Sequence, residues 1–259
     1  MKLENYELHL PSYSVGKEVY NQIGKICKPY GAKVLVIGGK KALSAAFDKI
    51  SKNAADGGLD IIGKEIYGTD CTYEAVERLA ALTSFQEADM VFAVGGGKAI
   101  DTCKCLCIEC EKPVFTFPTI ASNCAACTSV SIMYHEDGTF FKPHFFTHPA
   151  AHAFIDTQII AAAPYRYLWA GIGDTYAKNY EAEISSRGEN LPHYTEVGVG
   201  FSKMCLTPML EYGRQALEDN KKGVATEALE QVALAIVVTT AIVSIFLTRD
   251  FTPDYNSGL

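Results

Sequence analysis

The chain has 259 residues, is 48% hydrophobic and carries a formal net charge of −7, a length that suffices for one large or two modest domains with a buried core. An acidic balance without a basic cluster argues against nucleic acid as a partner, because phosphate backbones are held largely by Lys and Arg. Met1–Gly16 contains no apolar segment of signal-peptide type, so the sequence points to a cytoplasmic protein that is not exported.

Lys33–Ile37, KVLVI, predicts a short strand, followed by Gly38, Gly39 and a helical stretch through Ile50. A second strand is expected at Leu59–Ile66 and a helix over Tyr73–Phe85. Ala88–Val94 predicts a buried strand that runs into Gly95, Gly96 and Gly97 and then into a helix. Such a turn leaves unpaired N–H groups and a positive helix end where a pyrophosphate can sit, and Lys98 adds a point charge. Glycine triplets also serve as strand-to-helix turns in α/β proteins that hold no ligand there, so both readings stay open. Val114–Phe117 predicts the next strand, ending at the turn PTIAS, Pro118–Ser122. This alternation favours a parallel sheet covered by helices on both faces, with ligands bound beyond the carboxyl ends of the strands, where both turns fall.

Nine cysteines in a chain of this length without an export signal read as reduced thiols. Cys103, Cys107 and Cys110 share one helix face, the spacing of small core residues, while Cys105 points elsewhere. Cys124-x-x-Cys127 has ligand spacing without a second pair, and an iron–sulfur or zinc centre over Cys103–Cys127 is a competing reading. The run IMYHEDGTFFK predicts a hairpin turning at Asp137-Gly138, and HAFID a further strand. On extended chain His144, His148 and His152 would lie about 13 Å apart, too far to share one ion.

From about Ala161 the strand signals stop. Pro164–Ser186, Tyr194–Asp219 and Val224–Arg249 predict long helices, giving an α/β parallel-sheet domain over residues 1–161 and an all-α domain over 162–259, with a cleft between them. The apolar run Val232–Leu247 falls short of the roughly 20 residues that span a bilayer and reads as a buried helix. Asp174, in AGIGDTYAKNYEAE, stands in apolar company and needs a partner, either a salt bridge or a metal ion facing the cleft.

GGGKAID at Gly95–Asp101, PTIAS at Pro118–Ser122, SVSIMYHEDG at Ser129–Gly138, FIDTQIIAAAP at Phe154–Pro164 and GIGD at Gly171–Asp174 occur in unbroken order. With them the chain resembles the metal-dependent, iron-containing alcohol dehydrogenases, most closely the glycerol dehydrogenase branch. The resemblance implies a Rossmann-like domain for NAD or NADP followed by a helical domain carrying a zinc or iron ion. It also implies a homo-oligomer, and hydride transfer between the nicotinamide and a small alcohol, polyol or aldehyde. Gly96, Gly97, Lys98 and Asp101 would hold the pyrophosphate region, and Thr119 and Ser122 would contact the cofactor. Thr128, Val130 and Tyr134 would line the nicotinamide end, with Thr128 standing where the family often has Ser. Asp174 would bind the metal, acting in catalysis through that ion as a Lewis acid on the alcohol oxygen.

Three departures shape the expectation. Family members continue past a Ser-Gly-Leu-like sequence into a segment with the histidine ligands, whereas this sequence stops at Ser257-Gly258-Leu259. The resemblance therefore implies a C-terminally truncated chain with an incomplete ligand set, inactive as given. Cys124 stands where the branch has a polyol-contacting aspartate, so simple alcohols, diols and aldehydes compete with glycerol as substrate. VIGGKK carries Gly38, Gly39, Lys40 and Lys41 where an acidic residue would grip the ribose of NAD, so a 2′-phosphate is tolerated. The alternative reading is a non-catalytic nucleotide-binding protein that has lost the metal site.

Overall fold

The structure, a computed structural model, describes residues 7–248. Ser257-Gly258-Leu259, on which the truncation expectation rests, lies outside the described residues, as do residues 1–6 of the N-terminal segment and Arg249. The first half contains β1 (Tyr13–Gly16), α1 (Ile23–Cys27), β2 (Lys33–Gly38), α2 (Lys40–Asp56), β3 (Asp60–Ile66), α3 (Tyr73–Ala80) and α4 (Thr83–Glu87). It continues with β4 (Met90–Gly95), α5 (Gly97–Glu109), β5 (Val114–Pro118), β6 (Val130–Tyr134), β7 (Phe140–Phe145) and β8 (His152–Asp156). Helices follow: α6 (Thr157–Ala162), α7 (Tyr165–Ser185), α8 (His193–Ser202), α9 (Leu206–Lys221), α10 (Glu227–Leu234) and α11 (Thr240–Leu247).

Six strands form one parallel sheet in the order β1-β8-β5-β4-β2-β3, and β6 and β7 make a separate antiparallel hairpin. The central strands are apolar throughout because both faces are covered. Alternation sorts their side chains: Val34, Val36 and Phe92 pack under α2 with Leu43 and Ile50, while Leu35, Ile37 and Val91 pack under α5 with Ile100 and Leu106. The second cluster continues into Leu229, Ile236 and Ala241 of the helical half, so one core runs through both halves.

The sequence reading missed β1, whose four residues are too few to show alternation. It is held by register with β8, Tyr13 opposite Ala153, and by the Ser12 and Ser14 hydroxyls, 2.6 and 2.9 Å from the ring nitrogens of His152. The expected helix Tyr73–Phe85 is broken at Leu82, which is extended (ψ 133°) before α4 begins. Pro143 lies inside β7 opposite Ile132, tolerated because that hairpin strand has only one paired edge. Cys103 and Cys107 are core residues as expected, but Cys110 ends α5 and is exposed, and Cys105 packs with Cys71 and Met133. A π turn, Ala235–Thr239, joins α10 to α11. The resulting helix Glu227–Leu247 is 21 residues long, so it exceeds the expected run and is, by length and composition alone, able to cross a membrane. Most of it is buried inside the protein.

Candidate functional site

The strand order reverses between β2 and β4: the chain passes from β2 outward to β3, then returns to β4 on the other side of β2. A crevice opens at such a point beyond the carboxyl ends of the strands. Here it is a cleft of about 1000 Å³ bounded by Gly39 and Lys40 from the end of β2, Gly95–Gly97 from the end of β4, and Thr119 from the end of β5.

The glycine turn and the PTIAS turn meet at its floor. Gly95 pairs with Pro118 in the β4–β5 register, and the Thr119 amide donates to the Gly95 carbonyl at 3.0 Å. Gly95 requires its glycine through a positive φ of 154°. Gly96 and Gly97 are closely approached by side chains of the facing loop: a Cβ would lie 2.6 Å from Ile120 Cδ1 at Gly96 and 2.6 Å from Asn123 Nδ2 at Gly97, so either side chain would have to move. The loop after β5 thus rests directly on the bare start of α5. No acidic residue occupies the first turn of α5 and no side chain caps it, so its leading N–H groups face the cleft as donors for an anion.

Lys98 is exposed at this helix start and forms an ion pair with Asp70, with its ammonium 5.1 Å from the centre of the Tyr134 ring. The bond to Asp70 raises the Lys98 pKa. Asp101 lines the cleft, and its carboxylate is held from within the protein. Oδ1 lies 2.9 Å from the Lys104 ammonium and Oδ2 accepts from the Ile132 amide at 3.2 Å. Pairing with Lys104 offsets the repulsion that a bare carboxylate would exert on a diphosphate in the cleft. Burial raises its pKa, opposed by Lys104 and the Ile132 amide.

Lys104 escaped the sequence reading. Fully buried, it donates to the carbonyls of Ala125 (2.8 Å) and Thr128 (3.3 Å), to Thr128 Oγ1 (3.0 Å) and to the Val130 carbonyl. A lysine three residues after an aspartate in a helix of Cys and Leu was the available signal, since such a pair inside an apolar helix is buried together. Thr128 and Val130 bind Lys104 and lie outside the cleft lining, whereas Ile132 and Tyr134, further along the same face of β6, belong to it.

On α7, Gly171 touches the PTIAS loop; a Cβ there would lie 2.4 Å from the Ala121 carbonyl oxygen and 3.1 Å from Ser122 Cα. Asp174, one turn on, is exposed and has no ion pair or hydrogen bond among the described residues, so the expected salt bridge is not formed there. It is nevertheless ringed by protein: desolvation raises its pKa, against Lys178 and together with Glu181. Lys178 is bound to Glu181 at 2.7 Å. Burial, then the charge of Asp174, pushes the Cys124 thiol up to about 12, so it stays protonated at neutral pH. Of the residues expected at the site, Gly96, Gly97, Lys98, Asp101, Thr119, Ser122 and Tyr134 line the cleft, and Cys124 and Asp174 form a neighbouring group beside it.

A divalent ion is not accommodated by the described residues. No three His, Cys, Asp or Glu side chains gather among them, and a catalytic zinc takes about three protein ligands. Asp174 is a single candidate ligand with an ammonium group beside it. His144, His148 and His152 are scattered: His144 binds Glu109 at 2.8 Å, His148 the Pro149 carbonyl at 2.9 Å, and His152 the two serines of the β1 edge.

Comparison with known proteins gives this arrangement a context. The chain is 32% identical over 224 residues to a glycerol dehydrogenase of Escherichia coli O6:H1, covering 85% of this chain and 61% of that protein. It is 36% identical over 179 residues to a glycerol dehydrogenase of Thermotoga maritima, covering 67% of this chain and 49% of the relative. It therefore spans between half and about three-fifths of the length of these relatives. The crystal structure of glycerol dehydrogenase from Schizosaccharomyces pombe superposes with a TM-score of 0.82 at 25% identity, covering 93% of this chain and 62% of that one. Residues 11–156, more than half of the chain, match the family described as iron-containing alcohol dehydrogenase, and with the sheet order and paired turns described above this chain belongs to that family.

Proposed function

We propose that the chain is the dinucleotide-holding part of an NAD(P)-dependent oxidoreductase that interconverts CH–OH and C=O on a small alcohol, polyol or aldehyde. The observation that carries this reading is the contact of the two turns: the Thr119 amide on the Gly95 carbonyl sets PTIAS against a bare helix start in a cleft large enough for a dinucleotide. Bound nicotinamide supplies the hydride chemistry, and the protein contributes position and charge. The first amides of α5 would receive the diphosphate, Lys98 would exchange Asp70 for a phosphate oxygen, and Thr119 and Ser122 would contact the cofactor from the facing turn. The nicotinamide would then point along Ile132 and Tyr134 towards Cys124 and Asp174.

The described residues do not complete a metal site. The protonated thiol of Cys124 is a weak acceptor, which favours a simple alcohol, diol or aldehyde over a polyol gripped by a carboxylate. A division at residue 161, a cytoplasmic location and association of copies belong to the same proposal. Calorimetric titration with NAD+ and NADP+ tests it: binding of at least one is expected, and absence of heat with both overturns it. Turnover of small alcohols with added zinc or iron then separates an oxidoreductase from a nucleotide-binding protein without activity.

A further inference from the structure

Among the described residues, five cationic side chains line the cleft, Lys40, Lys41, Lys49, Lys98 and Arg166, against one carboxylate, Asp101, in a chain whose net charge is −7. Three of these charges are engaged within the protein. Asp101 belongs to Lys104, Lys98 pairs with Asp70, and Lys49 lies 2.8 Å from Asp156. Lys40 and Lys41 at the start of α2 and Arg166 at the start of α7 have no carboxylate partner among the described residues. They approach one rim from opposite halves of the molecule. The Arg166 guanidinium lies 3.3 Å from the Tyr167 hydroxyl, and Lys40, Lys41, Arg166 and Tyr167 line the same cleft.

The end of β2 explains what this rim is for. A dinucleotide fold that selects NAD places a carboxylate there, which binds the ribose hydroxyls and repels a 2′-phosphate. Gly38 has no room for a side chain, since a Cβ would lie 2.4 Å from the Val94 carbonyl oxygen. Gly39 has room and an ordinary backbone: φ −79°, ψ 147°, with a Cβ meeting nothing closer than Tyr67 Cε1 at 3.5 Å. Position 39 would accept an aspartate, yet carries none, and the first turn of α2 holds no acidic residue.

We infer that this rim binds a 2′-phosphate and that the cleft selects the phosphorylated dinucleotide, NADP, over NAD. Lys40 and Lys41 meet the phosphate from the sheet half and Arg166 closes on it from α7. The inference rests on the dinucleotide reading above and sharpens it.

Calorimetric titration of the 259-residue protein with NADP+ and NAD+, and with 2′,5′-ADP and 5′-AMP, tests it at low and high salt. NADP+ is expected to bind at least tenfold more tightly than NAD+, 2′,5′-ADP more tightly than 5′-AMP, and both gaps narrow as salt screens the rim. Replacing both lysines, Lys40→Ala with Lys41→Ala, brings the ratio of the two affinities towards one, and Gly39→Asp inverts it. Equal or tighter binding of NAD+ overturns the inference and leaves the dinucleotide reading standing. Binding of neither nucleotide removes both.

Discussion

Lys104 and Asp101 face each other at 2.9 Å in the interior of the protein, neither side chain appreciably open to water. The same ammonium holds the carbonyls of Ala125, Thr128 and Val130, so one lysine fixes the loop that carries Cys124 to the helix that begins at Gly97. Lys104→Met would strand a buried carboxylate and several carbonyls, and removing one partner of a buried pair costs about 3–5 kcal/mol. Chemical denaturation is expected to show a loss of that order. The double variant with Asp101→Asn should lose less than the single one.

Gly171 is the point where α7 meets the PTIAS loop. In Gly171→Ala the new methyl would collide with the Ala121 carbonyl oxygen, and neither group is a flexible side chain. Overpacking of this kind costs about 1–3 kcal/mol. A lowered denaturation midpoint is expected, and dinucleotide titration should show weaker binding because Ser122 is displaced with the loop.

His152 supplies a pH dependence. Burial pushes its pKa down to about 4 from an unfolded value of 6.5. Above pH 6.5 the ring is neutral in both states and the serine bonds are fully available. As pH falls from 6.5 towards 4 the unfolded chain takes up a proton that the folded protein resists, so stability is lost across that window, by up to about 3 kcal/mol. Denaturation of the parent and of His152→Gln at pH 7, 5.5 and 4.5 should give curves that converge at low pH, because only the parent carries this titration.

Asp174 is expected to behave in the opposite manner to Lys104. It is exposed and has no ion pair or hydrogen bond among the described residues, so Asp174→Asn should change stability by no more than about 0.5 kcal/mol. Equilibrium unfolding checks this. A larger destabilisation would show that the carboxylate supports the fold and would remove the grounds for giving it a ligand role.

The central strands were legible because β2, β4, β5 and β8 are short apolar runs that stop at Gly, Pro or Asp, a pattern with few alternatives in a parallel sheet. Both turns at the cleft were legible for the same reason. Side-chain direction was not. Thr128 and Tyr134 lie in one continuous stretch, and nothing in their spacing tells that the first is bound by Lys104 outside the cleft lining while the second belongs to it. Gly96 and Gly97 were legible as a turn, but nothing in the sequence tells that Ile120 and Asn123 press against them. Asp70, the partner of Lys98, carried no periodic or motif signal in the run YGTDCT.

The continuous core has a mechanical corollary. Leu35 and Ile155 of the sheet and Leu229 and Ile236 of the last helix belong to one apolar cluster, so rotating one half against the other as a rigid lever would expose that oil to water. Lys40, Lys41 and Arg166 stand in solvent outside that cluster, and heat is expected to melt both halves in one cooperative step.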